Sequence, residues 1–390
     1  MAQKWEVVGG ADKGGILIRE GVDLKSPQCS DRLSTGAIVE QVSLVGDRLQ
    51  YKLVSGTGPA EGWASVRISG KELLVKVGAA SAAPTASGAV AVANAEVDLD
   101  LKEKVLSRSK VMEKELSKYV PKYNFLKYPL SDCKMRVICF HNAGSSESTF
   151  TGPGTVFMKW AKEANVEVIA VTYPGRDKVQ REEKMTAAGP LSLKLLEIIY
   201  TKVADGVPYC VWAHSVGTWV AFEFLILARK IGLPMPKTAF LNAFPAPQLP
   251  FALRPWPQSR NLDSDGIKGE LKKWDSTHFG DGGPGQIIFE QDWDTQWEPI
   301  MRADFRLYDE YEFTHAGAPP FAFPIKVLHM DLEFYNKKDW LAQWKEWTTG
   351  DFSLEVMSGM GHLTCWYKPD AKVKYLTKMT DGLKAVLAGL

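Results

Sequence analysis

From residue 135 to the C-terminus, apolar runs alternate with stretches of helical spacing. MRVICFH, VEVIAVTY, PYCVWAH, KTAFLNAF, PIKVLHMD and SLEVMSG are almost continuously apolar. That pattern predicts six strands buried on both faces, because a strand with one wet face alternates instead. LSLKLLEIIYTKV and TWVAFEFLILARK fall between strands and keep helical spacing. Strand–helix alternation predicts a mostly parallel sheet with right-handed crossovers, an α/β fold. Residues 258–315 break the rhythm between the fourth and fifth strands. They read as helices and loops and carry Trp274, Trp293 and Trp297. An insertion at that point forms a lid over the carboxyl ends of the strands, where open α/β sheets place their sites.

The first 78 residues follow a different period. Short apolar or alternating runs at 5–8, 16–19, 38–45, 49–54, 63–68 and 73–77 are separated by Gly, Asp and Ser. They predict a small all-β domain, a barrel or sandwich that suits an SH3-like barrel. The paired glycines at 9–10 and 14–15 read as hairpin turns, since no helix follows to cradle a phosphate. Residues 79–96 are rich in Ala, Ser, Gly and Pro and predict a linker. Residues 97–134 open with a polar, helix-spaced stretch and read as a helical connector to the domain at 135–390.

Composition narrows the class. Lys+Arg is 47 and Asp+Glu is 46, so net charge gives no sign of a nucleic-acid partner. The cysteines Cys29, Cys133, Cys139, Cys210 and Cys365 include no CxxC pair. This argues against a disulfide framework or a metal site and for a reducing compartment. The N-terminus has no signal-peptide pattern, and no apolar run approaches the ~20 residues of a membrane span. The expectation is a cytoplasmic protein without cofactor or metal.

The candidate chemistry sits after the third strand of the series. Ala213-His214-Ser215-Val216-Gly217 joins an apolar strand to an amphipathic helix. A nucleophile elbow of the α/β-hydrolase type needs small residues two positions either side of its serine, because the turn is tight. Ser215 is thus the candidate nucleophile. On that fold the acid and then the histidine follow the serine along the chain. His278, His315, His329 and His362 come after it. Of these, only His362 lies just past the last predicted strand. Asp331 and Glu333 both follow the fifth strand, and the residues alone do not choose between them as the acid that orients the imidazole. The N–H of Val216 and that of Ala143, in the loop after the first strand of this domain, are the candidate oxyanion donors.

Five segments together resemble the type II thioesterases, stand-alone α/β-hydrolases of polyketide and non-ribosomal peptide synthesis. The family's HAGG segment is matched by His141-Asn142-Ala143-Gly144-Ser145, and its PGR by Pro174-Gly175-Arg176. Its GHSMG elbow is matched at 213–217, its ADFR by Ala303-Asp304-Phe305-Arg306, and its GGHF by Met360-Gly361-His362-Leu363. The departures are Asn142 and Ser145 in the first motif and Ala213 in the elbow. Placed against the family's GGDxDP segment, the resemblance favours Glu333 as the acid, with Asp331 the alternative. It implies hydrolysis of acyl groups from the phosphopantetheine arm of an acyl or peptidyl carrier protein, through an acyl-enzyme. Some relatives release medium-chain fatty acids. Competing readings are a serine esterase or acyltransferase acting on oxygen esters or acyl-CoA, and a non-catalytic scaffold with an N-terminal interaction module. Arg176, on the loop after the second strand, has two readings: a contact to the phosphate of the arm, or, the commoner role, a structural ion-pair partner.

Overall fold

The computed structural model describes residues 3–10, 14–45, 47–68, 71–77, 97–121 and 133–390. The predicted linker at 79–96 and part of the connector lie outside the described residues. The chain divides into two compact units, residues 1–93 and 94–390.

The smaller unit holds β1 (Lys4–Val7), β2 (Ile38–Val45), β3 (Arg48–Ser55), β4 (Glu61–Ser65), β5 (Arg67–Ile68), β6 (Lys71–Glu72) and β7 (Leu74–Val77). Five of these form an antiparallel sheet in the order β4-β3-β2-β1-β7. Trp5, Val7, Val39, Leu49, Tyr51 and Ala64 alternate with wet positions and are buried on one face, the period-two pattern of a half-buried sheet. The long loop between β1 and β2 adds Ile16, Ile18 and Leu33 to this core. Residues 16–19 do not form the strand expected there. They make single bridges, Ile16 to Leu33 and Arg19 to Gln28 and Trp63, so the loop folds on itself and reaches β4. The smaller unit is thus a small all-β domain built on one antiparallel sheet.

The larger unit is built on β8 (Met135–Phe140), β9 (Val166–Ala170), β10 (Tyr209–His214), β11 (Thr238–Asn242), β12 (Ile325–Met330) and β13 (Phe352–Met357). All neighbours are parallel, in the order β13-β12-β11-β10-β8-β9. These are the six strands the apolar runs predict. β8 and β10 are buried at every position because helices cover both faces. Successive side chains divide between the layers: Ile138, Phe140, Val211 and Ala213 join one core, and Val137, Cys139, Cys210 and Trp212 the other.

The helices are α1 (Leu99–Met112), α2 (Leu116–Tyr119), α3 (Val156–Glu163), α4 (Ala188–Ala204), α5 (Gly217–Lys230), α6 (Ser264–Trp274), α7 (Ser276–Phe279), α8 (Ile287–Glu290), α9 (Glu298–Asp309), α10 (Lys338–Ala342), α11 (Thr364–Tyr367) and α12 (Pro369–Ala388). α4 and α5 pack on one face of the sheet, and α3 and α12 on the other. α1 starts at Asp98, whose side chain caps Leu101 N. It buries Val105 and Ser109, and its Arg108 pairs with Glu197 of α4. Helices α6 to α9 occupy the insertion between β11 and β12. Their core is aromatic: Trp256, Trp274 and Tyr308 pack around Phe244.

One buried ion pair ties the insertion to the loops after β8 and β9. Arg176 donates from Nη1 to Asp304 Oδ2 at 2.7 Å and from Nη2 to Oδ1 at 2.6 Å. Its Nη1 also donates to Ser145 O at 2.8 Å. Asp304 Oδ2 accepts Gly144 N–H at 2.8 Å. The Arg176 and Asp304 side chains are 6% and 1% exposed. Removing one member leaves the other charged and buried. Asp304→Ala is therefore expected to lower unfolding stability by about 3–5 kcal/mol, measured by urea denaturation. The double change Arg176→Met/Asp304→Leu should recover part of that loss, because no charge is orphaned, while Gly144 N–H and Ser145 O still lose their partners.

Candidate active site

β10 ends at His214 and α5 begins at Gly217, so Ser215 occupies the turn between them. Its φ is +57°, a left-handed backbone that a non-glycine residue holds only under constraint. The constraint is visible on both sides: Ser215 N–H donates to Asn242 O at 2.9 Å, and Ser215 O accepts from Thr218 N. Gly217 is required by space. A Cβ there would lie 2.4 Å from Phe140 O and 2.6 Å from His141 O. Ala213 stands where the motif has glycine, and it is fully buried between Phe140 of β8 and Leu241 of β11.

The turn aims Ser215 at His362. His362 Nε2 lies 2.7 Å from Ser215 Oγ, and His362 Nδ1 is hydrogen-bonded to Glu333 Oε1. A carboxylate only accepts, so Nδ1 carries the proton and Nε2 is left to accept from the serine hydroxyl. Glu333 Oε1 also accepts from Asn336 Nδ2 at 3.0 Å. Burial pushes the Glu333 carboxyl up, but the neighbouring His329 and His362 imidazoles and the Asn336 amide outweigh it. The group stays below the ordinary carboxylate range and hence ionised.

The structure does not bring Asp331 into this line. Its carboxylate accepts from Ser358 Oγ at 2.8 Å, Gly359 N at 2.7 Å and Met360 N at 3.3 Å. These bonds, Ser358 first, hold it below its usual range. Asp331 thus organises the turn that carries His362 and does not touch the imidazole.

Further residues, unassigned by sequence reasoning, fix the histidine. His214 Nε2 donates to His362 O at 2.9 Å. Its Nδ1 accepts from Tyr375 Oη, which itself accepts from Trp212 Nε1 and Asn242 Nδ2. Burial, with repulsion from His362, drives His214 down to about 3, so it remains a neutral strut. From the insertion, the Trp274 ring lies 4.9 Å from that of His362, and Asp275 Oδ2 accepts Leu363 N–H at 2.7 Å. The only local sign of Asp275 is its place before Ser276-Thr277 at a helix start. That sign predicts its capping bonds to Thr277 and His278 and says nothing of Leu363, 88 residues away. His278 and His315 lie elsewhere, His278 against Tyr367 and His315 on Glu223.

The N–H groups of Val216 and Ala143 have no backbone acceptor among the described residues. Ala143, Trp274, Phe279, Phe305 and Tyr308 line a small apolar pocket against Ser215, with about 30 Å³ of free space. The next residues of the Ala143 loop, Gly144 to Ser146, border a polar cleft of about 820 Å³ together with Arg181 and Lys184. Met301 packs against Gly144, whose φ is +71° and where a Cβ would lie 2.1 Å from Met301 Cε. Among the described residues, no three His, Cys, Asp or Glu side chains converge as a metal site requires.

Residues 135–370 match the thioesterase domain family. The chain is 24% identical over 238 residues to the thioesterase PikA5 of Streptomyces venezuelae, covering 60% of this chain and 77% of that protein. It is 24% identical over 244 residues to the human medium-chain S-acyl fatty acid synthase thioesterase, covering 60% and 82%. The RedJ thioesterase of the Streptomyces coelicolor prodiginine pathway superposes with a TM-score of 0.54 at 21% identity, covering 66% of this chain and 92% of that one. No helix among the described residues is long and apolar enough to cross a membrane. The chain belongs to the thioesterase family, hydrolases of thioesters, and its larger unit has their α/β-hydrolase fold.

Proposed function

We propose that this enzyme releases acyl groups from the phosphopantetheine arm of a carrier protein, with Ser215 as nucleophile, His362 as base and Glu333 as acid. The observation that carries the reading is the hydrogen-bonded line Ser215–His362–Glu333. His362 takes the hydroxyl proton as Ser215 Oγ attacks the thioester carbonyl. The N–H groups of Val216 and Ala143 receive the oxyanion. The C–S bond breaks, His362 protonates the departing thiolate, and Ser215 is left acylated. Water, deprotonated by His362, then releases the acid and restores the serine. The apolar pocket under Trp274 and Phe305 takes the start of the acyl chain. The polar cleft beside the Ala143 loop takes the hydrophilic arm. Arg181 and Lys184 form no ion pair among the described residues and face its phosphate, with Asp177 and Asp292 on the same rim.

Ser215→Ala should lower kcat by about 10⁴–10⁶, and Glu333→Gln by about 10⁴, since the imidazole loses its orienting acceptor. Asp331→Asn should leave kcat nearly unchanged. Steady-state hydrolysis of an acyl-phosphopantetheine, set beside a p-nitrophenyl ester of the same acyl group, checks all three. Preference for the oxygen ester would overturn the substrate assignment. The cleft has its own test. Arg181→Gln/Lys184→Gln should raise KM for acyl-phosphopantetheine about tenfold, equivalent to ~1.4 kcal/mol. It should leave acyl-N-acetylcysteamine, which has no phosphate, unaffected.

A further inference from the structure

Glu333 has two carboxylate oxygens, and the line to Ser215 uses one. Oε1 accepts from His362 and Asn336. Oε2 is buried without a hydrogen-bond partner among the described residues. The polar atom facing it is His329 Nδ1, 3.6 Å away, and this atom is also buried and unpartnered. His329 is the penultimate residue of β12, so the sheet holds its backbone in place. Two buried polar atoms left unpaired are costly, and a donor facing an acceptor removes both penalties. The carboxylate only accepts, so the proton of the pair belongs on Nδ1.

We propose that His329 is a positioning residue for the triad acid: its Nδ1–H donates to Glu333 Oε2, so that two imidazoles grip one carboxylate. The proposal rests on the assignment of Ser215, His362 and Glu333 made above. It also gives a reason for a histidine beside a glutamate. Glutamate has one more torsion than aspartate, and its terminal torsion is broad. Oxygens held at both ends fix the carboxylate plane and keep Oε1 on His362. The second N–H also draws negative charge from the carboxylate, which then supports a protonated His362 less strongly than an ungripped one does. The other ionisable groups nearby are His214 at the end of β10, Cys365 of α11 and Asp275 of the insertion. His214 is kept neutral. Burial pushes the Cys365 thiol up. Asp275 is engaged at Leu363 N. None of them donates to Oε2.

The direct test is a long-range ¹H–¹⁵N spectrum of the full-length enzyme labelled at histidine, which reports the tautomer of each ring. The expected result is a proton on Nδ1 of His329, and a signal lost in His329→Phe. The kinetic counterpart is the acid limb of kcat/KM against pH. His329→Phe frees Oε2, raises the basicity of His362 and moves that limb to higher pH by about 0.5–1 unit. His329→Asn keeps an N–H donor near the Nδ1 position and should keep the wild-type limb. A proton on Nε2 of His329 would overturn the proposal. So would equal losses in the Phe and Asn variants with the limb unmoved, which is the behaviour of a packing residue. If neither variant folds, the wild-type spectrum decides alone. That spectrum does not depend on turnover, so failure of the triad assignment, seen as activity surviving Ser215→Ala, is distinguishable from failure of the His329 contact.

Discussion

The Arg176–Asp304 pair fixes the loop that carries Ala143, the proposed oxyanion donor. Each charge loses several kcal/mol of hydration on burial, so the pair is not a large source of net stability. Its effect is on geometry. Arg176 is on the loop after β9, Asp304 is on α9, and both bond to the loop after β8, at Ser145 O and Gly144 N. Tyr173 adds a third hold by donating to His141 O at 3.1 Å, and the Arg176 guanidinium lies over the Tyr173 ring. Three fixed points fall within the five residues 141–145. Displacing that loop breaks these bonds and takes partners from the buried Arg176 and Asp304 charges, which holds the Ala143 N–H in place.

The sheet does the corresponding work for Ser215, the proposed nucleophile. β8, β10 and β11 are buried and in register, with Ala213 beside Phe140 on one side and Leu241 on the other. The carbonyls of Phe140 and His141 come so close to Gly217 that no side chain fits. The left-handed turn at Ser215 is the consequence of starting α5 in that confined space. The strain is held by the bond from Ser215 N to Asn242 O, whose own side chain reaches back to Tyr375 and Leu328.

How much of this is legible along the chain follows from the range of each interaction. The six buried strands are readable because covering both faces of a sheet leaves a continuous apolar run. The elbow is readable because its small residues obey a local steric rule, which Ala213 relaxes without breaking. The choice between Asp331 and Glu333 is not local. Two residues apart in a turn after β12, they point to different partners, one toward Ser358 and one toward His362. Residues 16–19 of the small unit have a strand-like pattern and are buried at Ile16 and Ile18. They pair only at single bridges, because burial specifies the face of a segment and not the ladder beside it. Asp275 and His214 are invisible as supports of His362, since each acts through one backbone group far away in sequence.

Those supports have a common consequence for substrate entry. The His362 loop is held from the core by His214 at His362 O and from the strand end by Asp331 at Gly359 and Met360. It is held from the insertion by Asp275 at Leu363 N and by the Trp274 ring. The apolar pocket at Ser215 has about 30 Å³ free, room for no more than a water or two. If this pocket takes the acyl chain as proposed, side chains that line it from α6, α7 and α9 have to move aside, Trp274 and Phe279 among them. That movement takes Trp274 and Asp275 with it, since they stand at the junction of α6 and α7. It removes two of the contacts on the histidine loop and leaves the core-side ones in place. On that reading the bond from Glu333 and the strut from His214 carry the orientation of His362 when the insertion contacts are broken.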